Sequence, residues 1–198
     1  MKKLYIIGCF MILGLLSFVS EINAQQKETF TGTVLSYGSG FDTRTRTANF
    51  TLDITGETSD QRAQSLLNLL QERGQKSVLD EVDNEELGRF SIGANVGIPV
   101  NVVRESIVDG KQRIFIVFER WTQFAELRGG YRSLDYPFGV IELFIDQRTG
   151  KGEGTYIAAA KIRWNYDKDT KQYQVEIENF ATYPARLLAV RRSNRNAR

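Results

Sequence analysis

The chain predicts a mainly β fold, an antiparallel barrel or sandwich of about eight or nine strands with one α-helix packed against it. Three features lead there. Apolar residues recur at every second position over most of the chain, as in 47–54, where Ala48, Phe50, Leu52 and Ile54 share one face and Thr47, Asn49, Thr51 and Asp53 the other. Turn-forming pairs, Asp109-Gly110 foremost, separate such stretches. A clear helical spacing of apolar residues occurs in one segment, 59–73.

From the start, Met1-Lys2-Lys3 leads into the uncharged run Leu4 to Val19 and then Ile22-Asn23-Ala24. A basic start, an apolar run and a small residue at a cleavage point make a secretory signal. Residues 1–24 are therefore expected to be removed on export to the periplasm or beyond. Ile6-Ile7-Gly8-Cys9 has the form of a lipid attachment site, but most of the apolar run follows Cys9, which argues against acylation. An uncleaved anchor is the alternative; the run rises about 24 Å as a helix, short of a hydrocarbon core of about 30 Å.

Strands are expected at 28–36, 47–54, 88–93, 98–107, 113–119, 140–145, 153–164, 172–180 and 185–191. "QYQVEIENF" alternates like a strand with one wet face. "RIFIVFE" and "VIELFI" are apolar at nearly every position, as central strands covered on both sides are. Asp109-Gly110, "DQRTGKG" (146–152) and "DKDTKQ" (167–172) supply hairpin turns, so the last four strands read as a meander. Asp167, Asp169 and Glu178 fit the acidic places of a calcium loop, but Lys171 and Gln172 stand where it needs Asp or Asn and then Gly, so a hairpin tip is the reading. Gly150, Gly152 and Gly154 around Lys151 lack the spacing of a phosphate loop; glycine at alternate strand positions leaves one face bare for close packing. The helix is expected to start at a Thr58 cap with Gln61 three residues on, and to stop at Gly74. "KSVLDEVDNEEL" (76–87) suggests a second short helix, its acids forming a solvated face.

Composition excludes much chemistry. Cys9, Met1 and Met11 are the only sulfur-bearing residues, and there is no His. Without the leader, disulfides, thiol or histidine catalysis and His/Cys zinc sites are all ruled out. No metal and no cofactor are expected. Removal of 1–24 leaves 174 of 198 residues, one domain over 25–190, with a net charge of +1 once Lys2, Lys3 and Glu21 are gone. That balance lacks the basic face of a nucleic-acid binder. Arg191, Arg192, Arg195 and Arg198 make 191–198 a basic, disordered tail, with only weak membrane contact expected of it.

The segment 119–139, "ERWTQFAELRGGYRSLDYPFG", is too polar for a strand and too aromatic for a linker. Trp121, Phe124, Arg132, Asp135 and Tyr136 combine ring faces with polar anchors, as a site for a small apolar or sugar-like ligand requires. Equally, the segment's aromatics can plug an open barrel end, with Arg132 paired to Asp135 or Glu142. With His and Cys absent, a carboxylate-based hydrolase of glycosidase type using Asp135 and Glu142 is the catalytic alternative.

At "RSLDYPFGVIEL", "GKGEGT" and "ENFATYPARL" the chain resembles a family of small exported bacterial proteins, over about Gly74 to Arg191. The resemblance implies an exported domain and carries over no catalytic or binding role. The expected function is a binding or structural module whose partner is a small molecule or another envelope protein.

Overall fold

The computed structural model describes residues 27–38, 44–121, 132–167, 172–180 and 183–193. The proposed leader, with Cys9, lies outside them. In chain order the elements are β1 (Glu28–Ser36), β2 (Arg46–Ile54), α1 (Asp60–Arg73), α2 (Gln75–Val82), β3 (Gly88–Ile92), β4 (Ile98–Val100), β5 (Val102–Val108) and β6 (Lys111–Glu119). A 3-10 turn at Arg132–Asp135 leads to β7 (Phe138–Ile145), β8 (Lys151–Asp167), β9 (Gln172–Asn179) and β10 (Ala185–Ser193).

The strands run in the order β4-β3-β2-β1-β10-β8-β7-β6-β5, all antiparallel, and form a nearly closed barrel of nine strands. The tenth, β9, pairs with the far half of the long β8, from Ala160 opposite Asn179 to Asp167 opposite Gln172. The near half of β8 pairs with β10 on that same edge. A two-stranded ribbon thus extends past the barrel wall.

Period two explains both layers of packing. On β6 and β7, Ile114, Ile116, Phe118, Ile141, Leu143 and Ile145 point into the barrel with Phe30, Leu52 and Phe90. Their sequence neighbours Phe115, Val117 and Val140 point outward, where they meet Leu70 of α1 and Val78 and Leu79 of α2. These two strands are therefore covered on both sides, which accounts for their nearly continuous apolar sequences. Close approach of β7 and β8 requires the alternating glycines: a Cβ at Gly154 would strike the Glu142 carbonyl and Leu143, and one at Gly152 the Phe144 carbonyl and Ile145. The β5–β6 hairpin turns on Asp109 and Gly110, both at positive φ (50° and 74°), the geometry that pair favours.

Two local readings are corrected. The cap of α1 is Ser59, whose hydroxyl accepts from Arg62 N–H at 3.2 Å. Thr58 is committed elsewhere: its Oγ1 accepts from Val103 N–H at 3.0 Å while its own N–H donates to Val103 O at 2.8 Å. Those bonds satisfy the edge of β5 that no strand covers. The C-terminal strand also runs beyond residue 190. Arg191 and Arg192 pair with Thr31 and Phe30 of β1, so the basic stretch begins as sheet.

The expected strand over 98–107 is two strands, because Asn101 changes its partner. Before it, Val100 lies opposite Gly88 of β3; after it, Val102 lies opposite Val117 of β6. The chain thereby brings the two ends of the sheet together, which leaves the barrel nearly closed. Asn101 is 3% exposed. Its Nδ2 donates to the carbonyls of Val82 (3.0 Å) and Glu85 (2.8 Å), its Oδ1 accepts from Glu119 N–H (2.9 Å), and its own N–H donates to Val117 O (3.3 Å). Asn101→Ala leaves two carbonyls and one N–H without that partner and should cost about 2–4 kcal/mol. A urea titration with unchanged slope and a lowered midpoint is the expected result.

Candidate functional site

One end of the barrel opens into a cavity of about 830 Å³. The β3–β4 hairpin, from Ile92 through Val96 to Pro99, forms one wall, and the end of β6 with the end of α2 forms the other. Its floor is aromatic. Phe90 and Tyr156 meet edge to face with ring centres 5.1 Å apart, and Phe118 lies behind them, 5.9 Å from Phe90 and 6.4 Å from Tyr156. Trp121 stands at the rim, 83% exposed.

Period two delivers Phe90 and Tyr156 to the interior, and the Asn101 bond to Glu119 N–H fixes where β6 ends. Arg120, 8% exposed, holds the return of the chain after the segment that follows. Its N–H donates to Pro137 O (2.9 Å), its Nε to Tyr136 O (2.7 Å) and its Nη2 to Ser133 O (2.9 Å). The guanidinium thus works as a clamp on backbone carbonyls at the cavity's edge.

Two acids share the rim. Asp83 caps the end of α2 and Glu119 ends β6; both line the cavity. Partial withdrawal from water raises the Glu119 carboxyl above its ordinary 4.5, and the charge of Asp83, a hydrogen bond with Asp83 and the charge of Asp80 raise it further. Glu119 therefore retains a proton more readily than a free glutamate does. Tyr156 is shifted too: burial pushes its phenol up to about 12, against an opposing pull from Arg120. Among the described residues, no group of three or more Asp or Glu side chains is arranged to hold a metal ion.

The residues expected from sequence separate into two places. Trp121 is on the cavity. Tyr136 is buried on the β8–β9 ribbon, with its ring 5.0 Å from Phe180 and Lys161 Nζ 6.0 Å above it, and its hydroxyl donates to the Glu178 carboxylate. Asp135 is exposed beside it, and its carbonyl accepts from Gln75 Nε2 at 2.9 Å. Phe124 lies outside the described residues, as does the Arg132 side chain. Glu142 is on the outer face of β7 and is held by Arg113 Nε at 2.6 Å. Four strand residues, about 13 Å, separate it from Phe138, which itself follows Asp135. Neither fact draws these two carboxylates together.

Asp83, Glu119 and Tyr156 were not singled out by the sequence. The one signal was electrostatic. The last turn of α2 contains acids and no base, opposite to what the negative end of a helix dipole favours. Neither a family model, a curated protein nor a solved structure matches the chain.

The Tyr156 shift carries a pH signature. Its folded value lies above the ordinary 10, so the stability linked to the neutral phenol is full below pH 10 and is lost as pH rises through about 12. Alkaline titration followed by tyrosinate absorbance should show Tyr156→Phe lacking the late-titrating tyrosine and losing less stability over that range.

Proposed function

We propose that the protein is an exported, non-enzymatic binding module that takes a small ring-bearing ligand, apolar or sugar-like, into the mouth of the barrel. One observation supports this most: a cavity of about 830 Å³ with an aromatic floor and an exposed indole on its rim. Pockets of about 300–1,000 Å³ suit small molecules, and flat rings gain most from stacking on aromatic faces. An indole left 83% in water has little packing value where it stands. It costs the fold little to keep and gives a ligand a second face.

The barrel interior below the floor is packed with Phe30, Leu52, Ile116 and Leu143, so the ligand sits at the mouth and not in a channel. The reading places the module in the periplasm or outside the cell, with residues 1–24 as the export signal. The ligand site is the Trp121 end of the sequence-expected set; Tyr136 supports the rim through its carbonyl, which accepts from Arg120 Nε.

Trp121 and Trp164 are the two tryptophans of the chain. In Trp164→Phe the emission therefore reports on Trp121 alone. Titration with ring-bearing apolar compounds and monosaccharides should shift or quench it, saturably, for at least one class, and Tyr156→Ala should weaken that binding about tenfold or more. Emission unmoved across both classes would contradict the proposal.

A further inference from the structure

The mouth has a chemical polarity beyond its aromatic floor, and it narrows the ligand class; this inference rests on the binding reading above. Three charged residues line the cavity: Asp83, Glu119 and Arg120. Arg120 spends Nε and Nη2 on the carbonyls of Tyr136 and Ser133, and only 8% of it is exposed. The two acids sit at the rim, one at the end of α2 and one at the end of β6. Asp83 lies at the end of α2, where the helix dipole already disfavours a carboxylate, and Asp80 one turn earlier adds to the same field. Asp83 and Glu119 stand beside the cavity although the helix end and the neighbouring acid both oppose negative charge there. The same cavity is lined by Phe90, Tyr156 and the rim indole of Trp121, aromatic rings of the kind that attract cations. Tyr156 also brings a hydroxyl to the floor as a further polar group.

We propose that the ligand is a ring carrying a protonated amine, its ring on Phe90, Tyr156 and Trp121 and its ammonium group between Asp83 and Glu119. In the empty site, partial withdrawal from water and the neighbouring Asp83 raise the Glu119 carboxyl above its ordinary 4.5. An arriving ammonium favours the ionised form of both carboxyls, any proton held on Glu119 passes to solvent, and no covalent bond changes. The groups facing Glu119 that set this exchange are Asp83 and Asp80 from α2, with Arg120 and Tyr156 on the inner side of the mouth. Binding should therefore weaken as pH falls from neutrality toward the ordinary 4.5 of a glutamate, where added protons compete with the ammonium.

The same chemistry has two sources, an aromatic amine and an amino sugar, and matched probes distinguish them. Benzylamine is compared with benzyl alcohol, and glucosamine with glucose, by Trp121 emission in Trp164→Phe and by calorimetry. At neutral pH one amine should bind about tenfold more tightly than its neutral match. Glu119→Gln and Asp83→Asn, both at exposed positions, should each reduce that preference to threefold or less. They should also flatten the pH profile of amine binding. If a neutral compound binds as well as its amine, or if the preference survives both substitutions, the inference is overturned and the binding reading stands. If no probe of either kind binds, both are overturned.

Discussion

Asn101 is the residue at which one strand leaves β3 and takes up β6, and the closure of the barrel depends on that exchange. A change of partner in mid-strand interrupts the ladder and leaves backbone groups in a dry place. The Asn101 amide fills that gap: donors for the carbonyl that ends α2 and for that of Glu85 just past it, one acceptor for the N–H that ends β6. Each bond is worth about 1 kcal/mol net, but leaving any one of these groups buried and unmet costs more than the bond returns. An Asp at this place would have the shape without the donors, and a Leu would have neither acceptor nor donor. The side chain is chosen by what surrounds it.

The seam also builds the mouth. By tying the end of α2 to the end of β6, Asn101 brings Asp83 and Glu119 to one rim, although 36 residues separate them in sequence. Arg120 then fixes the returning chain at Ser133, Tyr136 and Pro137. Below this ring of polar ties the barrel is a packed core, and outside it two helices shield β6 and β7. The cavity is thus a consequence of closure: the sheet seals at one level and leaves its aromatic interior open just above it.

The fold was legible where period and turn chemistry agree. Asp109-Gly110, the doubly apolar β6 and β7, and the bare glycine face of β8 each correspond to a specific packing or turn in the structure. What failed was local. Thr58 reads as a helix cap because hydroxyl followed by glutamine is the local signature, yet a distant strand edge claims that hydroxyl and Ser59 takes the cap. The break at Asn101 is silent, since an asparagine amid apolar residues looks like any polar strand position. At the site, Trp121 was visible because an aromatic in a polar loop is conspicuous. Tyr156 was hidden in an ordinary alternating strand, and the Asp83–Glu119 pairing depends on tertiary contact. Tyr136 stood out for its composition, but it packs on the β8–β9 ribbon through Phe180 and Glu178.

Amide hydrogen exchange under native conditions tests the closure most directly. If the Asn101 seam holds the barrel shut, the N–H groups of Leu87, Asn101 and Glu119, which bond to Val100 O, Val117 O and Asn101 Oδ1, open only when the whole domain unfolds. Their exchange free energies should then equal those of Ile116 and Leu143 in the barrel core. Exchange at these three amides by a local opening several kcal/mol below the core value would show that the barrel stands without the seam.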